Sequence, residues 1–174
     1  MDTNLLLSVL RKDSIVQKMF GGVVPCDMLP RAKVTVPTLY IVNKDKSTLP
    51  GSHWTAIFID PKQDSGVYFD SYGLKPHNKY ITRFFNYNCN VVEYNTERLQ
   101  GLCSDVCGAY CVYFCYLISR GFTMNDLVKK FRQKSDSYND KWVVKFLKVK
   151  YHHSFKQIRT DAQCYNQTSH ALST

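Results

Sequence analysis

The sequence predicts an α+β fold in a single domain, and three observations carry that reading. Two β-branched and aromatic runs, WTAIFID and GVYFD, flank the turn-like segment PKQDSG. The segment from Cys107 to Arg120 is almost wholly apolar and stops at Gly121. The chain has 174 residues at 44% hydrophobic content, enough for one core and too few for two ordinary domains. The paired runs read as an antiparallel hairpin with Asp60 and Asp70 at its strand ends. The apolar segment reads as a helix without a polar face, hence central and buried.

The remaining elements follow in order. LLLSVLRKDSIVQKMF has apolar residues at helical spacing and runs into Gly21 and Gly22, which predicts one or two short helices with a glycine stop. VTVPTLYIVN has strand composition, but Pro37 demotes it to an edge strand or a bulged one. HNKYITRFFNY reads as a short helix and NVVEY as a further strand. Thr123 followed by Asp126 resembles a capping box, opening a helix through Phe131, and another helix is predicted over about 139–150. From about residue 152 to 174 the composition turns to Gln, Ser, Thr and His and predicts a partly ordered tail.

The 14% aromatic content, with 12 Tyr and 10 Phe, argues against disorder. A net charge of +9 gives the surface a positive field that polyanions or an acidic partner would feel. Seven cysteines, at 26, 89, 103, 107, 111, 115 and 164, are an odd number without the paired spacing of a small secreted scaffold, so reduced thiols in a soluble intracellular protein are expected. The opening MDTNLLLSVLRKD has no basic leader, and its apolar stretch is too short for a signal-peptide core or a membrane span. No membrane partner is expected, and a monomer is.

Cys103, Cys107, Cys111 and Cys115 recur every four residues. On one helix the outer two would lie about 18 Å apart, too far for a shared metal, so no metal is expected and the stripe reads as small residues for close packing. Cys107 differs because Gly108 follows it where polar residues give way to the apolar run. That places it at a helix N-terminus, where the macrodipole and free N–H groups favour a thiolate. His53, after Pro50, Gly51 and Ser52, projects from the start of WTAIFID. The end of GVYFD should lie beside it, bringing Asp70 within reach to orient the imidazole. Gln100, seven residues before Cys107, carries two N–H donors suited to an oxyanion hole. A thiol nucleophile, a base, an orienting acid and an oxyanion donor make up the machinery of thiol catalysis.

The blocks GSHWTAIFID, VYFDSYG and QGLCSDVCGAYC resemble adenain, the adenovirus maturation protease, and its relatives in other DNA viruses and virus-like transposons. They share the His-Trp pair, an acid seventeen residues after the His, and a Gln seven residues before Cys-Gly, and the likeness runs from about Met19 to Gly121. It implies a mixed, mostly antiparallel sheet on a central buried helix, the fold shared with ubiquitin-like-protein proteases. It also implies Cys107 as nucleophile, His53 as base and acid, Asp70 as orienting group, Gln100 in the oxyanion hole, and a narrow groove beside Trp54 and Gly51. The adenovirus enzyme has Glu as the acid, and Pro and Asn where this chain has Leu102 and Cys103, so the loop shape differs and Cys103 is a rival thiol or an oxidation partner. Ubiquitin-like-protein proteases usually place Asp directly before the Cys and Gln six residues ahead, whereas here Val106 precedes Cys107.

The same resemblance implies cleavage of viral precursor capsid or core proteins near Gly-Gly or Gly-X-Gly, location in the virion and host nucleus, and stimulation by DNA and an activating peptide. Cys89, read as lying at the start of the NVVEY strand, matches the peptide-linking position, and strand addition at a sheet edge is the physical route. MFGGVV resembles a cleavage site, with self-cleavage between Gly22 and Val23 as the alternative to a helix stop. Lys129, Lys130, Arg132, Lys134, Lys141, Lys145, Lys148 and Lys150, with His152 and His153 beyond, predict a nonspecific DNA face on two helices whose apolar sides (Leu127, Phe131, Trp142, Phe146, Leu147) pack inward. Two other functions fit the same sequence: an isopeptidase for ubiquitin or ubiquitin-like modifiers, and a noncatalytic DNA-binding capsid protein.

Overall fold

The computed structural model describes residues 1–152. Five strands form one sheet in the order β1-β2-β3-β4-β5: Phe20–Pro25, Thr38–Asn43, Trp54–Asp60, Ser65–Phe69 and Val91–Tyr94. The two inner pairs, β2 with β3 and β3 with β4, are antiparallel, and both outer pairs are parallel. The sheet is therefore mixed, with an even balance where a mostly antiparallel one was expected. The helices are α1 (Thr3–Leu10), α2 (Ser14–Gln17), α3 (Lys79–Asn88), α4 (Cys107–Ile118), α5 (Met124–Phe131) and α6 (Asp136–Tyr151). None of the described helices is long and apolar enough to cross a membrane.

Period-2 alternation in the strands makes two cores, one on each face of the sheet. Leu39, Ile41, Trp54, Ala56 and Phe69 face α1, α4, α5 and α6, whereas Tyr40, Val42, Ile57, Ile59 and Tyr68 pack with Ile81, Phe84 and Phe85 of α3. α4 is the helix predicted to be central: ten of its residues are buried, including Cys107, Cys111 and Cys115. Phe114 stacks on Phe69 with ring centroids 5.2 Å apart. The capping box forms as expected, Thr123 accepting from the Asp126 N–H while the Asp126 carboxylate accepts from the Thr123 N–H. Ser135 caps α6, so that helix begins three residues before the predicted Asn139.

Two expectations are corrected. Gly21 and Gly22 do not stop a helix; α2 ends at Gln17 and both glycines lie in β1, where the register shifts between Phe20 and Gly22. Gly21 is there for space, since a Cβ on it would overlap the Tyr40 ring, and Gly22 for its backbone, which takes φ +145. The Gly22–Val23 bond proposed for self-cleavage is thus held in the sheet opposite Tyr40 and Ile41. Nor does Pro37 push its strand to an edge. It sits just before β2, leaving Thr38–Asn43 free to pair on both sides with every residue buried. His153 and the tail, apart from His152, lie outside the described residues.

Asp13 joins the N-terminal helices to the rest. It caps α2, accepts a bidentate pair from Arg120 at 3.0 and 2.9 Å, and accepts from the Tyr151 hydroxyl at 3.1 Å. Burial pushes its pKa up, and the Arg120, Val16 and Tyr151 hydrogen bonds outweigh that and hold it below the usual carboxylate range. Replacing Arg120 with Leu leaves this buried carboxylate without its cation, and the expected loss of stability is about 3–5 kcal/mol, read as a lower urea midpoint. A midpoint within error of the parent would refute it.

Candidate active site

Local structure brings three of the predicted residues together. His53 directly precedes β3, and Asp70 directly follows β4. The antiparallel register that pairs Ala56 with Phe69, extended by three pairs, sets Tyr72 opposite His53. His53 Nε2 lies 2.8 Å from Asp70 Oδ1. That leaves Nδ1 available to the Cys107 thiol, which lies near enough to the imidazole for each group to shift the pKa of the other. Cys107 is the first residue of α4; Ala109 and Tyr110 donate to the Val106 carbonyl, which leaves the N–H groups of Cys107 and Gly108 as the open donors at the thiol end. The Trp54 backbone N–H is also near the sulfur and favours its thiolate.

Nucleophile and base are both nearly enclosed, Cys107 at 8% and His53 at 9% exposure. Burial alone would depress the imidazole, but hydrogen bonds and charge from Asp70 and Cys107 raise its pKa to about 9. Burial would raise the Cys107 thiol, and the His53 hydrogen bond, its charge and the Trp54 N–H bring it below the ordinary value instead. Both directions favour a thiolate–imidazolium pair. Asp70 stays ionised: burial pushes it up, and His53, the Tyr72 N–H and Lys44 outweigh burial.

Residues the sequence reading did not single out hold this arrangement. Asn95 clamps the backbone of Asp70, accepting from its N–H at 3.0 Å and donating to its carbonyl at 2.7 Å. Tyr72 stacks on the His53 ring at 4.8 Å between centroids, 29° from parallel. Lys44 places its ammonium 3.6 Å from Asp70 Oδ2. Tyr72 lies inside the quoted VYFDSYG block and was within reach of inspection. Asn95 and Lys44 are 25 and 26 residues from Asp70 in sequence and carry no local signal.

Gln100 is fully buried beneath the site. Its Oε1 accepts from Ser71 Oγ at 2.6 Å, and its Nε2 donates to the Ser104 carbonyl at 2.8 Å and to the Tyr72 hydroxyl at 3.3 Å. In this arrangement the amide hydrogens are committed to the loop and to Tyr72, so the open oxyanion donors are the N–H groups of Cys107 and Gly108 at the start of α4. The loop itself is anchored from α4 and α6: Leu99 O accepts from Tyr110 Oη and Asn139 Nδ2, and the Gly101 N–H donates to Asp140. Trp54 Nε1 donates to the Met1 carbonyl at 2.8 Å, and the Met1 side chain packs against Gly108. The groove position assigned to Trp54 is therefore lined by the N-terminal residue. Gly51 takes φ +91 with Asn43 so close that a Cβ would meet its Nδ2 at 2.5 Å, which shapes the approach to His53.

The other predicted site residues lie apart. Cys89 does not begin a strand; it is the C-cap of α3, buried, its thiol donating to Phe85 O at 3.6 Å. β5 is nonetheless the sheet edge, with Val91 64% and Tyr94 40% exposed. Cys103 is exposed in the loop before α4. All eight predicted basic residues, on or beside α5 and α6, are exposed. Arg132 is paired with Glu97, and Lys130 lies 4.1 Å over the Trp142 ring. Leu127, Phe131 and Leu147 are buried as expected, whereas Trp142 and Phe146 are only half-buried and line a groove of about 610 Å³ with Tyr138, Lys145, Val149 and Lys150.

A thiol at a helix N-terminus, facing an imidazole held by a buried carboxylate, defines a site of the cysteine-protease class. In sequence the chain is similar to the protease of Bovine adenovirus 4, at 31% identity over 103 residues, 49% of this chain and 50% of the relative. It is also similar to the protease of Ovine adenovirus D serotype 7 (isolate OAV287), at 25% over 115 residues, 56% of this chain and 55% of the relative. The likeness is confined to that shared stretch, and the chain spans about half the length of these curated relatives. A looser likeness, TM-score 0.43 and 23% identity, is to the ASFV pS273R protease, covering 60% of this chain and 42% of that one. No protein-family model matches the chain.

The pKa directions generate a prediction. Alkylation of Cys107 by iodoacetamide, followed by peptide mass spectrometry, should reach half its first plateau below the ordinary thiol value of about 8.5. A second rise is expected near pH 9, where His53 loses its proton. In His53→Ala the low-pH reactivity should vanish; an unchanged profile would refute the pair.

Proposed function

We propose that the chain is a cysteine endopeptidase of viral maturation type, acting through Cys107, His53 and Asp70. The observation that carries this is the run of contacts from the Cys107 thiol through His53 to the buried Asp70 carboxylate. The thiolate attacks the scissile carbonyl carbon, forming the C–S bond, and negative charge moves to the carbonyl oxygen beside the N–H groups at the start of α4. Collapse breaks the C–N bond as His53 gives its proton to the leaving amine. Water then cleaves the thioester, losing a proton to His53 and releasing the new carboxylate, and the thiolate–imidazolium pair is restored. Asp70 keeps the ring oriented throughout.

The similarity to adenovirus proteases supports protein substrates, with viral capsid or core precursors cut near Gly-Gly or Gly-X-Gly in the virion and host nucleus as the extension of this reading. DNA on the exposed lysines of α5 and α6, and a peptide added at the β5 edge, are its proposed activators. The edge of β5 supports strand addition physically. The burial of Cys89 makes a disulfide to that peptide conditional on α3 opening at its end.

Cleavage of a fluorogenic Leu-X-Gly-Gly peptide tests the reading, and the expected result is turnover that falls to background in Cys107→Ala. No turnover in any condition, with DNA and a candidate viral peptide present, would favour the noncatalytic alternative. Cleavage of ubiquitin-like fusions in place of the peptide would favour the isopeptidase. Binding to duplex DNA should weaken steeply with salt. Changing Lys141, Lys145 and Lys148 together to Glu should reduce the log–log salt slope by about 2–3, and an unchanged slope would remove DNA from this face.

A further inference from the structure

Asp70 is shared between two cations. Its carboxylate is fully buried, and Oδ1 carries the hydrogen bonds, from His53 Nε2 at 2.8 Å and the Tyr72 N–H at 2.9 Å. Oδ2 is buried and has no hydrogen-bond partner among the described residues. The Lys44 ammonium lies 3.6 Å from Oδ2, with 27% of its side chain exposed. Lys44 is well placed to stay there. It directly follows β2, its N–H donates to the His53 carbonyl at 3.0 Å, and its carbonyl accepts from Asn78 Nδ2 at 2.8 Å. The same backbone hydrogen bond thus ties the lysine to the histidine whose partner it touches.

We propose that Lys44 is a positioning residue for the triad: its ammonium holds the outer oxygen of Asp70 and so limits how firmly His53 keeps its proton. The inference rests on the protease reading. A buried carboxylate facing a single imidazolium stabilises that cation strongly, and an imidazolium held too firmly is a weak acid towards a leaving amine. A second cation on the same carboxylate draws part of its field away and repels the imidazolium directly. The groups facing this centre are Lys44 from the end of β2, Tyr68 from β4, Tyr72 and Asp70 beyond it, and Cys107 and Cys111 from α4, with the chain's amino group near Cys107. Tyr68 Oη is also buried without a hydrogen-bond partner among the described residues, so it is the alternative neighbour for Oδ2.

The test measures the pH dependence of Cys107 alkylation and of peptide kcat/KM in the parent, Lys44→Met, Lys44→Arg and Tyr68→Phe. In Lys44→Met the second alkylation step and the alkaline limb of kcat/KM should move up together by about half a unit or more, with Lys44→Arg staying near the parent. Profiles that superpose for Met, Arg and parent would overturn the proposal, as would a shift in Tyr68→Phe alone. If Lys44→Met does not fold, Lys44→Gln carries the same loss of charge at this partly exposed position. Alkylation does not require turnover, so the expected shift in a chain without peptidase activity would overturn the protease reading and leave the role of Lys44 standing.

Discussion

Every part of the candidate site depends on the burial of the Asp70 carboxylate. A charge removed from water must be matched by hydrogen bonds or by opposite charge, because the cost of leaving it bare is several kcal/mol. The carboxylate meets that demand from three directions, the His53 ring, the Tyr72 N–H and the Lys44 ammonium, while Asn95 clamps the Asp70 backbone. These come from the ends of β2, β3, β4 and β5. The strand ends are thereby held in one geometry, with the imidazole fixed through Nε2 and its Nδ1 left available. A protein whose triad acid lay at the surface would need none of this, and would hold its histidine less well.

The opposite wall of the site is equally constrained. α4 runs against the sheet with Cys111 and Cys115 fully buried and Gly108 under the Met1 side chain, so its N-terminus is fixed relative to β3. Small residues let the helix approach closely, and the aromatic stack of Phe69 on Phe114 sets its depth. The thiol therefore meets the imidazole through two rigid elements. In the proposed mechanism the same helix would deliver the nucleophile and supply backbone N–H groups where negative charge develops, so one packing arrangement would serve attack and stabilisation alike.

α6 connects the site to the basic surface. Its first turns anchor the loop that carries Gln100 through Asn139 and Asp140, while its outer side presents Lys141, Lys145, Lys148 and Lys150 around half-buried Trp142 and Phe146. A polyanion on that outer side would lie one helix diameter, about 10 Å, from the loop beneath the triad. The Gln100 network passes from this loop to Tyr72 and so to the face of the His53 ring. A physical route for coupling exists without any change in the sheet.

Much of this was legible from sequence where the signal is local or periodic. The hairpin around PKQDSG, the apolar helix from Cys107, the capping box at Thr123 and the pairing of His53 with Asp70 all follow from alternation, helical spacing or the facing ends of neighbouring strands. The failures are of another kind. Gly21 and Gly22 carry a helix-stop signal, and only the folded strand shows that Gly21 makes room for the Tyr40 ring while Gly22 takes a positive φ. Pro37 looks disruptive until the strand is seen to start one residue later, and Cys89 looks like a strand residue until it is found capping α3. By itself the sequence determined most of the elements, the central helix and the order of the candidate catalytic residues, because those depend on neighbours within a few positions. Only the tertiary structure decided that Lys44 and Asn95 share Asp70, and that Gln100 spends its amide on Tyr72 and Ser104. Those contacts join different elements, and no periodicity records which distant side chain a buried polar atom will meet.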